Sequence, residues 1–157
     1  MLREWIQRSP RLVAGIWFAI AGAFPSLAWF LPSVMQDADV GIFLSFVGLP
    51  IALAWIAGAW IGAAILRRGT GMVHAMLRGM GVLLLAYALL APCYGLLNVL
   101  QRPHTPHFVN AILMETYMVL FIGLVAVGWI LVIIGGVAGL LLCVVVRWAS
   151  GSSSQQS

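Results

Sequence analysis

The chain is 157 residues long, 63% hydrophobic and 8% charged, with a mean hydropathy of +1.08. A soluble globular domain carries about 25% charged residues to cover its surface, and this chain has too few; lipid is the solvent that tolerates such a balance. The net charge of +4 rests on eight arginines with no lysine, too sparse and too scattered for a nucleic-acid surface.

Four apolar runs, at about 12–31, 41–66, 80–100 and 117–146, carry no Lys, Arg, Asp or Glu. Each is long enough for a hydrocarbon core about 30 Å thick. The expected fold is therefore all-α: a polytopic integral membrane protein of four transmembrane helices, one domain over 1–149 and a flexible polar tail over 150–157. Ahead of the first run, residues 2–8 place Leu2, Trp5 and Ile6 on one helical side, the pattern of a short interfacial helix. The first run resembles a signal peptide in its flanks, but it exceeds the 7–15 apolar residues of such a segment, so it is expected to stay as an anchor.

Arg3, Arg8 and Arg11 precede the first run, Arg67, Arg68 and Arg78 lie between the second and third, and Arg147 follows the fourth. With four crossings all seven share one side, and only Arg102 falls on the other. The excess of positive charge on cytoplasmic loops then places both termini in the cytoplasm, with a bacterial inner membrane as the expected location. Asp37, Asp39 and Glu115 fall on the outer side.

Small residues recur four apart: Ala54, Gly58 and Gly62 in the second run, Gly135 and Gly139 in the fourth, Gly15, Ala19 and Ala23 in the first. Such rows let helix backbones approach closely, within one bundle or between copies. Pro25, Pro50 and Pro92 lie at similar distances from the outer ends of their runs, roughly 9–14 Å at 1.5 Å per residue. A proline removes a backbone donor and can kink a helix; the expected reading is that membrane helices use proline freely because neighbours re-satisfy the freed carbonyls, and the alternative is that three kinks at one depth splay the outer halves and open a cavity.

The longest outer connection reads QRPHTPHFVNAILMET over 101–116. His104 and His107 are three apart, a spacing that metal sites use, but Pro103 and Pro106 disfavour the helix that would make them converge, leaving a weak candidate pair. Glu115 adjoins the fourth run and is expected at the membrane interface, where a carboxylate is cheap and common. If that helix begins near 109, the carboxylate lies inside the membrane, with Arg102 and Asn98 as polar neighbours, and an intramembrane carboxylate marks function by default. Met72, Met76 and Met80 form a stripe beside His74, a pattern of packing rather than copper binding. Cys93 and Cys143 are embedded in apolar runs without metal spacing. No nucleophile–base set and no haem-ligating pair within the spans is present, so no cofactor is expected.

The expected function is a small non-enzymatic membrane protein that acts by packing, as an accessory subunit or self-associating module, with lipid and a homo-oligomer or larger complex as partners. The alternatives are a small transporter or channel-like oligomer with an outward cavity, and a membrane sensor reading pH or metal through His104 and His107.

Overall fold

The computed structural model describes residues 8–34, 47–66, 70–101 and 107–151. Four α-helices follow one another: α1 (Pro10–Val34), α2 (Leu49–Trp60), α3 (Met72–Leu100) and α4 (Phe108–Gly151). A 3-10 helix (Gly62–Leu66) continues α2 after Ile61. No strand occurs among the described residues. The long apolar stretches take this form because a helix satisfies its own backbone donors and acceptors, which lipid cannot do. Three helices are long and apolar enough to cross a membrane, over Pro10–Leu27, Met72–Leu100 and Phe108–Trp148. They mark the chain as a membrane protein.

The helix bounds differ from the apolar runs in three places. α2 has 12 residues, shorter than the expected second span, although the helical path from Val47 to Leu66 has only the turn at Ile61 within it; residues 41–46 of that run lie outside the described residues. α3 begins eight residues before the third run and takes in Arg78. α4 begins nine residues before the fourth run and extends past Arg147 as one continuous helix through Gly135 and Gly136. The interfacial segment 2–8 (Arg8 apart), the tail from 152, and Asp37, Asp39, Arg67, Arg68, Arg102 and His104 also lie outside the described residues.

The helices form two antiparallel hairpins. In the first, α1 and α2 cross on small residues. A Cβ added at Gly58 would stand 2.7 Å from the Phe18 Cβ, and one at Gly62 would stand 2.7 Å from the Phe18 ring. In the second, Ala75 and Gly79 of α3 face Gly135 and Gly139 of α4, and a Cβ at Gly135 would lie 2.6 Å from the Gly79 carbonyl oxygen. Further along, Gly95 admits Thr116 and the Ile112 carbonyl, and Gly123 admits the Tyr87 ring.

The hairpins join around Phe18, Ala54, Ala57, Val82, Leu83, Ala138 and Leu142, all buried in one apolar cluster. Trp17 Nε1 donates to the Ala138 carbonyl at 2.9 Å, tying α1 to α4. At the end of the bundle that carries Arg11, Arg78 and Arg147, Arg78 donates to the Ala64 carbonyl at 2.6 Å and Arg147 to the Thr70 carbonyl at 3.1 Å. The Thr70 hydroxyl also donates to Ala64 at 3.4 Å. The bonds to Ala64 satisfy a carbonyl left open where the 3-10 helix stops, and the Arg147 bond holds the approach to α3 against α4. We call this the basic end.

Candidate functional site

Away from the basic end, the bundle forms a partly open cavity of about 520 Å³. Its floor is the level at which Gly22, Ala54, Leu83 and Ile134 meet. α3 supplies the longest wall, through Ala86, Tyr87, Leu90, Tyr94 and Asn98. α4 faces it with residues from Val119 to Ile134, and the α1–α2 hairpin closes the floor with Phe24, Pro25, Ser26 and Pro50.

Sequence and local geometry explain why space remains here. The crossings on Gly79, Gly135 and Gly139 bring α3 and α4 together at the basic end, and the Trp17–Ala138 bond holds α1 against α4 there. Farther out α3 and α4 stay close, where Gly95 admits Thr116 and Gly123 admits Tyr87, and the space is bordered by side chains of both helices and of the α1–α2 hairpin. Pro25 cannot donate to the Ala21 carbonyl, and one residue on, the Ser26 hydroxyl donates to the Gly22 carbonyl at 3.0 Å. Such a bond back to the preceding turn bends helices. Pro50 stands at the start of α2, in the first turn, where its missing N–H costs nothing. It therefore opens α2 instead of kinking its interior, as the apolar run had implied. Pro92 lies inside α3 but on its exposed face, away from the cavity. Two of the three prolines thus border the space and the third does not.

Among the described residues the lining holds no Asp, Glu, Lys, Arg or His. Its polar atoms are few and mostly committed. The Tyr87 hydroxyl donates to the Val119 carbonyl, and Ser26 is bound to its own helix. Asn98, at the end farthest from the floor, brings a carboxamide with two N–H donors and one acceptor. Tyr87, Tyr94 and Asn98 share one face of α3 at spacings of seven and four. Asn98 was a candidate from the sequence, but Tyr87 and Tyr94 on the same face were missed, because each alone reads as an ordinary member of an apolar run.

Glu115 is the eighth residue of α4, half-buried, one turn before the lining residue Val119. It stands on the α3-facing side of α4 together with Ile112 and Val119 and is engaged in an interaction of its own. Asn98 and Glu115 thus occupy the same end of the bundle; Arg102, the third member of the expected polar set, lies outside the described residues. His107 is exposed, with φ 61°, a left-handed turn into α4 that histidine tolerates better than most residues. Among the described residues no three His, Cys, Asp or Glu side chains cluster as metal ligands. Met72 and Met76 are exposed beside His74, while Met80 packs against Gly136. Both cysteines are free; Cys143 is buried close to the Thr70 carbonyl at the basic end.

Among the described residues, the space is thus bordered by apolar side chains and a few polar groups. Comparison with known proteins adds no name to this: no family model matches the chain, and no curated protein or solved structure matches it either.

Proposed function

We propose that the chain is a small non-enzymatic, multi-pass protein of the bacterial inner membrane that holds an apolar ligand in its cavity, as a transporter or lipid-handling protein would. The basic end faces the cytoplasm with both termini, because the arginines collect there, and the cavity lies in the outer half. The observation that carries this reading is the cavity itself: about 520 Å³, bordered by Pro25 and Pro50, with no charged side chain among the described residues that line it. Ligand sites commonly have about 300–1,000 Å³ and mostly apolar walls with a few placed polar groups.

The rows of small residues favour the same choice. Gly58 and Gly62 are occupied by Phe18, and Gly135 and Gly139 by α3, so these close-approach surfaces are used inside the chain. A self-associating or accessory module is the second reading. It draws on the exposed apolar face of α4 near the outer end, where Leu113, Tyr117 and Phe121 stand clear of the bundle and the Tyr117 and Phe121 rings stack at 6.0 Å.

Organic extraction of protein purified in mild detergent tests the first reading. The wild-type chain should release a bound apolar molecule at near one per chain, and Ala86→Trp, which fills the middle of the cavity, at least tenfold less. Equal release from both proteins would overturn the reading, and a native mass showing a stable homo-oligomer without bound ligand would favour the second.

A further inference from the structure

The cavity is a slot between the two hairpins, with α1 and α2 on one side and α3 and α4 on the other. Within each hairpin the helices leave little room between them. Gly22 lies against the Ala54 Cβ in the first, and in the second Gly79 meets Gly135 and Gly95 meets Thr116. A way into the slot from the bilayer therefore runs between the hairpins.

The seam between α1 and α4 changes along its length. At Trp17 it is closed: the half-buried indole donates to the Ala138 carbonyl at 2.9 Å. Seven residues make about two helical turns, so Phe24 leaves α1 on the same side as Trp17, toward α4. Leu131 stands seven residues before Ala138 on α4 and lines the slot. Helices packed here as they are at Trp17 would cover the Phe24 ring. It is instead 73% exposed, and it lines the slot as well. One side chain thus borders both the slot and the outside of the bundle. Outside the bundle at this level is lipid, because Phe24 belongs to the membrane-crossing stretch Pro10–Leu27. The seam parts where α1 carries Pro25 and the bond from Ser26 to the Gly22 carbonyl, two features that bend helices.

Opening the seam at Phe24 costs little. Exposed side chains change rotamer within roughly ps–ns. Turning the ring aside exchanges one apolar contact for another, since lipid tails are as apolar as leucine. We infer that the slot is filled sideways, by an acyl chain of a lipid in the surrounding bilayer, through the α1–α4 seam, with Phe24 as the door and the Trp17–Ala138 bond as the closed end. This step rests on the ligand-holding reading and names where the ligand comes from.

The test uses the full chain, delipidated in detergent and reconstituted into nanodiscs of phosphatidylcholine bearing a diazirine at the end of one acyl chain. Such a probe stays in the bilayer. After a flash, peptide mass spectrometry compares insertion at Leu83 and Ala86, buried residues of the slot, with insertion at Val125, which is 69% exposed and outside the lining. The wild-type chain should be labelled at all three positions. The ratio of Ala86 to Val125 labelling should fall severalfold in Phe24→Trp and rise in Phe24→Ala. Phe24 lies outside the buried core, and Val125 serves as a reference within each molecule. Wild-type labelling at Val125 without Leu83 or Ala86 would overturn the sideways route, a result that needs no variant to fold. The ligand-holding reading would still stand if Ala86→Trp released less ligand on extraction. Equal ratios in all three proteins would overturn the role of Phe24 and its seam. An unlabelled slot, together with equal release from wild type and Ala86→Trp, would overturn both.

Discussion

At Gly79 a single hydrogen in place of a side chain decides how close two helices come. An added Cβ would run into the Gly135 carbonyl oxygen and lie 2.9 Å from the Gly139 backbone, whereas at Gly81, two residues on, nothing stands within 4 Å. Gly79→Ala should therefore cost about 1–3 kcal/mol, the range for overpacking a filled contact. Gly81→Ala should be neutral or stabilising by up to about 1 kcal/mol, since alanine is the better helix former. Unfolding in mixed micelles of detergent and dodecyl sulfate measures both, and equal losses would show that the close crossing is not what makes Gly79 matter. Half of this contact was legible beforehand: Gly135 and Gly139 declare themselves by their spacing of four. Their partners Ala75 and Gly79 show the same spacing but flank Arg78, and a charge beside them reads as loop. Tyr87 and Tyr94, on the same face as Asn98, stayed hidden for a related reason, since hydropathy sums along the chain and takes no account of direction around a helix.

Helix ends were the least legible feature. The apolar runs stop at charges, but helices need not. Arg78 sits in the second turn of α3, and its long stem carries the guanidinium to the Ala64 carbonyl at 2.6 Å, so the helix continues around it. Glu115 is likewise carried inside α4, which starts at Phe108. The existence and order of four helices could be read directly, because runs without charge long enough to cross lipid have no other stable form. The prolines illustrate what spacing cannot say. All three lie at comparable distances from the ends of their apolar runs, yet Pro25 and Pro50 border the cavity while Pro92 is exposed and does not. Pro92→Ala should leave ligand retention unchanged and raise thermal stability, by restoring the hydrogen bond to the Ala88 carbonyl. Pro25→Ala should lower ligand retention severalfold by straightening α1 against the slot. Bound ligand per chain, quantified after extraction of each variant, separates the two; equal effects of both substitutions would show that position relative to the cavity is irrelevant.

The described bundle has an end rich in arginine and the cavity lies away from it, and fusions test which way that end faces. A fluorescent protein fused after Ser157 should be bright, and alkaline phosphatase fused there inactive, while phosphatase fused after Gln101 should be active; the reverse pattern would turn the molecule over and place the slot in the inner leaflet. One bond within the bundle also bears on how the molecule is made. Trp17 on the first helix and Ala138 on the last are 121 residues apart in the chain. A ribosome working at about 5–20 residues per second needs roughly 6–24 s to supply that much chain. For that interval the first helix waits in the bilayer with its indole donor unmatched and its side of the slot unwalled. Closure of the bundle is thus reserved for the final helix, and a chain cut short before Ala138 would present an open hairpin to the membrane proteases that survey unfinished products.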